Sequence, residues 1–319
     1  PVNYPDELMF LKNRKAQQTF SHASLQGKTI VLTGATSGIG LKTAQALAAG
    51  GANLVLVARN PKLALQVQTE LIASTGVNVK VIQADFTDLE EVHRAADQIL
   101  QVTDRIDGLI NCAGMHSTKL TFTKAGLETV FCVNHLAAFV LTCRLLPRLK
   151  ASAPSRILDI NSEGHRFSPV HLDDLAWKHH HYTGLRGYGA SKSAQLLTML
   201  ELNDRLSGTG VTINAMHPGD VRSNIGQNNG WLYRLFSKLV IQPMLKDAEV
   251  SAKSIYTLMA DPQRETVSGL FYHLTIEEIP AKHATDRTIS PDVFKVSCTL
   301  TGIDPLTLER ITPSKENHK

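Results

Sequence analysis

The sequence predicts an α/β fold: an open, doubly wound parallel sheet of about seven strands with helices on both faces. Three observations carry this expectation. Short apolar, β-branched runs alternate with helical patterns from residue 28 onward. The runs are continuous rather than alternating, as strands buried on both faces require. The first run leads through a glycine-rich turn directly into a helix, which opens a β-α-β unit.

Taken in order, Lys28–Thr33 (KTIVLT) reads as the first strand and Ile39–Ala49 as the helix after the turn. Asn53–Ala58 is a second strand, and Asn60-Pro61 starts the next helix, proline being suited to a first turn. Val77–Ala84, Gly108–Cys112, Arg156–Asn161, Val211–Met216 and Leu270–His273 follow as strands, with a helix over Leu89–Val102. No linker rich in Pro, Gly or Ser interrupts Gly27 to Gly269, so one domain is the better count. The expected boundaries are an N-terminal extension over 1–26 with a short helix at Asp6–Phe20, the main domain over 27–285, and a partly frayed extension over 286–319.

Composition removes several classes of function. Of 319 residues, 43% are apolar and 19% charged, an ordinary globular balance. The formal charge of +4 is weak and dispersed, which argues against a nucleic-acid partner. No stretch reaches the ~18 uncharged apolar residues of a transmembrane anchor. Asp6, Glu7, Lys12, Arg14 and Lys15 break any signal peptide. Cys112, Cys132, Cys143 and Cys298 show no metal spacing and read as reduced core thiols, so a cytoplasmic location and no metal site are expected. The His179–His181 run reads as a solvated loop and His217 as a packing residue.

The turn is Thr33-Gly34-Ala35-Thr36-Ser37-Gly38-Ile39-Gly40. Gly34 permits a tight bend. Gly38 lets the backbone approach a pyrophosphate at the positive end of the helix. Gly40 lets that helix pack closely on the sheet. At the end of the second strand, where a ribose-binding acid is expected, stands Ala58-Arg59-Asn60. No acid repels a 2′-phosphate there, and the Arg59 guanidinium matches one. NADP(H) is therefore expected over NAD(H).

The spacing G-x-x-x-G-x-G resembles the short-chain dehydrogenase/reductase family. Six further motifs follow in that family's order: Asp85, NCAG at 111–114, Asn134, Ser162, YGASK at 188–192 and HPGDVRS at 217–223. The likeness spans roughly residues 27–285. The spacing of 26 positions from Ser162 to Tyr188, with Ser162-Glu163-Gly164-His165 and His171-Leu172-Asp173-Asp174-Leu175, resembles the retinol dehydrogenase-like branch. The resemblance implies a single-domain Rossmann fold of strand order 3-2-1-4-5-6-7. It implies that the cofactor is held by Gly34, Thr36, Ser37, Gly38, Ile39 and Gly40 of the turn. Asp85 and Phe86 then flank the adenine, and Asn111, Ala113 and Gly114 line the cofactor behind the fourth strand. Pro218, Gly219, Val221 and Ser223 complete the nicotinamide end.

Tyr188 and Lys192 are four residues apart and share one helix face. A free tyrosine titrates near ~10. A neighbouring ammonium is expected to lower that value, so that Tyr188 exchanges a proton with a carbonyl or alcohol oxygen. Ser162, at the carboxyl end of the fifth strand, is expected to hold the substrate oxygen. Asn134 completes the family tetrad, with an implied role in holding a water that links Lys192 to solvent.

Residues 224–245 form an amphipathic pattern through Trp231, Leu232, Leu235 and Phe236. The segment reads as a lid over a lipophilic substrate, as a core-facing helix, or as a helix making peripheral contact with a membrane surface. The helices containing Leu127–Leu149 and Ala190–Leu206 carry extended apolar faces, and since such helices commonly pair two subunits in this family, the resemblance implies a homodimer. The leading expectation is NADP(H)-dependent hydride transfer to or from a lipophilic carbonyl or alcohol. The alternatives are C=C reduction on the same scaffold and a non-catalytic dinucleotide sensor.

Overall fold

The structure is a computed structural model that describes residue 13 and residues 16–219 and 248–311. Val221, Ser223, the 224–245 segment with Trp231, Leu232, Leu235 and Phe236, and residues 1–12 lie outside the described residues.

Eight strands form one sheet in the order β3-β2-β1-β4-β5-β6-β7-β8. They are β1 (Thr29–Thr33), β2 (Asn53–Ala58), β3 (Val79–Gln83), β4 (Gly108–Asn111), β5 (Ser155–Ile160), β6 (Val211–His217), β7 (Phe271–His273) and β8 (Ile276–Glu277). All neighbours are parallel except β7 and β8, which are antiparallel. The expected order is therefore found, with β8 added. Two residues are too short to leave a periodic signal in the sequence.

Helices α1 (Gly38–Ala49), α2 (Pro61–Thr75) and α6 (Ala248–Ala260) bury their apolar faces on one side of the sheet. Helices α3 (Leu89–Val102), α4 (Thr129–Ala151), α5 (Gly184–Arg205) and α7 (Ser290–Thr301) cover the other. Helix starts are chemically specified. The Asn60 side chain accepts from the amides of Lys62 and Leu63, and Asp88 from those of Glu90 and Glu91. By length and composition α4 could cross a bilayer, but 89% of its apolar window is buried among its neighbours, as in a core helix.

The strand order reverses between β1 and β4. The chain leaves these strands in opposite directions, so a crevice opens at their carboxyl ends. In the loop after β5, Asp174 accepts from the backbone amides of Lys178, His179 and His180 and from His180 Nδ1. His180 stacks on His171 with ring centroids 3.9 Å apart, while His179 and His181 are exposed.

Apolar faces of α4 and α5, from which a homodimer is expected, pack against α7 of the same chain. Leu196 and Leu200 of α5 pack in the same core as Phe139 of α4 and Phe294 of α7. The Phe294 ring meets Phe139 at 5.4 Å and lies beneath Arg205 at 4.4 Å. Ser290 donates to Glu201 and Ser297 pairs with His135, fixing α7 across the seam. The third helix on these faces is supplied by the chain itself.

Candidate active site

The turn after β1 is shaped by close approach. A Cβ on Gly34 would sit 2.9 Å from the Cα of Ala113, and one on Gly40 only 2.1 Å from the carbonyl oxygen of Gly34. Thr33 Oγ1 accepts from the amides of Cys112 and Ala113, at 2.9 Å each, and so ties the turn to the loop after β4. Sequence reasoning did not single out Thr33, although it opens the glycine motif. Ser37 takes the N-cap position of α1 yet makes no capping hydrogen bond, and no acidic residue occupies the first turn. The first amides of α1 are thus left uncapped, which suits a pyrophosphate.

That turn forms one end of a cleft of about 840 Å³. Gly34, Thr36, Ser37, Gly38, Ile39, Gly40, Arg59, Asn60, Asp85, Phe86, Ala113 and Gly114 line it. So do Ser162, Tyr188, Lys192, Pro218 and Gly219. Arg59 is exposed at the rim, and among the described residues no acceptor binds its guanidinium. Asp85 Oδ1 accepts from the amide and hydroxyl of Thr87.

Asn111 was expected to line the cofactor and is not among the lining residues. Its Nδ2 donates to Thr142 Oγ1 at 3.0 Å and to Asp159 Oδ1 of the neighbouring strand at 2.8 Å. Asn134 is also drawn away from the cleft. Its Oδ1 accepts from the Met115 amide, and its Nδ2 donates to the Met115 carbonyl and to Ser191 Oγ. Around it α4 widens into a π-helical turn, Cys132–Leu136, a local form frequent at functional sites.

Tyr188 and Lys192 lie on the same face of α5, with the Lys192 ammonium 5.9 Å from the Tyr188 ring centroid. Gly164 makes room for that ring: a Cβ there would stand 2.7 Å from two of its carbons. Asn161 fastens α5 to the end of β5, donating to the Lys192 carbonyl and to Gln195 Oε1 at 2.9 Å each. It also accepts from the Ser162 amide. Ser162 is therefore held at the mouth of the cleft beside Tyr188.

The electrostatics differ from the sequence expectation. Burial pushes the Tyr188 phenol above its usual value, opposed by a hydrogen bond with Ser162. Lys192 Nζ donates to the Ile160 carbonyl at 2.7 Å. Burial pushes Lys192 itself down to about 8, against the opposing Asp159 carboxylate. Asp159 is raised to about 6 by its own burial, opposed by the Asn111 hydrogen bond and by Lys192. This Asp159–Asn111 pair was not read from the sequence, since its significance depends on the register of β4 against β5.

The cleft also carries exposed apolar side chains. Phe167 and Leu185, 42% and 49% exposed, line it together with Met115 and His116. Both belong to or flank the segment between Ser162 and Tyr188, and neither was singled out in the sequence.

A sequence profile of the short chain dehydrogenase family matches residues 28–230. Retinol dehydrogenase 13 of Homo sapiens is 34% identical over 289 residues, covering 89% of this chain and 87% of its own. Retinol dehydrogenase 12 of Mus musculus is 35% identical over 288 residues, covering 89% of each. A crystal structure of an uncharacterized Mycobacterium paratuberculosis protein superposes with a TM-score of 0.70 at 27% identity, covering 88% of this chain and 95% of that one. With the glycine turn, the Tyr188/Lys192 helix and Ser162 gathered on one cleft, the chain belongs to the short-chain dehydrogenase/reductase family of oxidoreductases, in its retinol dehydrogenase-like branch.

Proposed function

We propose that this protein is an NADP(H)-dependent oxidoreductase that interconverts a lipophilic carbonyl compound and its alcohol. The observation that carries the reading is the single cleft. It joins an uncapped helix start and the exposed Arg59 to Ser162, Tyr188 and Lys192 and to exposed apolar side chains. Arg59 would take the 2′-phosphate, the amides of α1 the pyrophosphate, and Asp85 and Phe86 the adenine. The nicotinamide end would rest on Ala113, Gly114, Pro218 and Gly219. A bound nicotinamide cofactor supplies or accepts the hydride.

The chain's own groups do the rest. Ser162 Oγ would donate to the substrate oxygen and stabilise charge growing there. Tyr188 would give that oxygen its proton during reduction and remove it during oxidation. Burial favours the protonated phenol, which suits the donor role. Lys192, poised at about 8, would restore the proton through a chain of groups. Asn134 would contribute to this relay through the π-helical turn, its side chain being occupied by Met115 and Ser191. Phe167 and Leu185 support an apolar substrate, in keeping with relatives named as retinol dehydrogenases.

The test is NADPH consumption, followed by absorbance, against lipophilic aldehydes and ketones. Tyr188→Phe is expected to lower turnover by at least ~10²-fold while NADPH binding persists. Full activity of that variant would refute the mechanism. Turnover of enones with ketones spared would indicate C=C reduction, and tight NADPH binding without any turnover would indicate a sensor.

A further inference from the structure

Three adjacent strands of the sheet end at one place. β5 runs into Ser162-Glu163, β6 ends on His217 and β7 ends on His273. His217 and His273 are partners in the parallel register, and their rings stand 5.2 Å apart. Glu163 meets them from the turn after β5. One potential ligand atom from each of the three side chains lies within 4.8 Å of the other two, and all three residues are buried.

Polar accounting in this cluster is incomplete. Both ring nitrogens of His217 are buried without a hydrogen-bond partner among the described residues, and so is Oε1 of Glu163. Buried polar atoms are ordinarily paired. Arg166 does not close the gap. It binds Oε2, the other oxygen of Glu163, and donates to Glu278 Oε1 and to the Ile279 carbonyl. Two buried carboxylates, Glu163 and Glu278, thus face one buried guanidinium. The residual negative charge requires a proton or a cation.

We propose that Glu163, His217 and His273 form a site for one divalent transition-metal ion. One carboxylate and two imidazoles match zinc best. Zinc holds such ligands at ~2.0–2.2 Å, so small side-chain rotations must draw the three atoms inward. The surroundings suit a ligand set. Arg166 fixes the carboxylate by its second oxygen, as a residue behind a ligating carboxylate would. Glu163 and His217 also line the cleft beside Ser162. The sequence reading expected no metal site because the three ligands, far apart in the chain, form no local spacing motif.

The test is zinc binding to the full chain after chelator treatment, measured by calorimetry and by metal analysis after dialysis. About one equivalent is expected. His273→Ala, outside the cleft, is expected to weaken binding at least about 100-fold. The near-isosteric Glu163→Gln should do the same even if His273→Ala fails to fold. Changing exposed His179 and His181 to Ala should leave binding intact. Absence of zinc binding by the wild-type chain would overturn the site and leave a proton on Glu163 as the neutralising charge. Loss of binding on changing His179 and His181, or wild-type affinity in Glu163→Gln, would overturn it equally.

Discussion

In the proposed function, Arg59 is the side chain that would set the preference for NADP(H). It directly follows β2, is exposed, lines the cleft and binds no acceptor among the described residues. A guanidinium without a carboxylate partner keeps its donors available for a phosphate. Hydrogen bonds to charged groups contribute roughly 1.5–3 kcal/mol. Arg59→Ala is therefore expected to weaken NADPH binding about 10- to 150-fold and to leave NADH binding nearly unchanged, as fluorescence titration would read. Equal loss for both cofactors would assign Arg59 a structural role. This residue was legible from sequence because its position depends only on the end of one strand. The Tyr188 titration was not. Its direction depends on how deeply the ring is buried.

At the scale of elements, pairing between strands sets the charge beneath the catalytic helix. Asn111 of β4 and Asp159 of β5 are partners in the register, and Asn111 holds Asp159 by a 2.8 Å hydrogen bond. Asp159 in turn raises Lys192, which burial has lowered to about 8. If protonated Lys192 supports reduction, kcat/KM falls as pH rises through that value. Removing the Asp159 charge lowers Lys192 further, so in Asp159→Asn the alkaline fall is expected at lower pH than in the wild type. A pH profile of kcat/KM checks this, and an unmoved alkaline limb would separate Asp159 from catalysis. Single elements were largely readable. Asn53–Ala58 and Leu89–Val102 occur with the bounds expected, because apolar runs and the Asn60 and Asp88 caps are local signals. The strand β8 and the π-helical turn at Asn134 were not, because each is too short to carry a period of its own.

For the whole molecule, α7 decides how the apolar surface is finished. Phe294 is buried between α4 and α5, and its neighbours close the faces that suggested a second subunit. Phe294→Ala is expected to cost about 3–5 kcal/mol of stability, read by denaturant unfolding. Light scattering of the same variant should show more self-association than the wild type if the uncovered seam is adhesive. A variant as stable as the wild type would mean that α7 is not part of the cooperative core. By itself the sequence determined the class of fold, the order of the main strands, the phosphate-binding turn and the family, because each rests on residues close together in the chain. The cleft's exposed apolar side chains, the Asp159–Lys192 electrostatics, the covering of α4 and α5, and the meeting of Glu163, His217 and His273 were decided only by the tertiary structure. Each joins residues from separate strands or helices, and proximity of that kind follows from strand order and packing rather than from spacing along the chain.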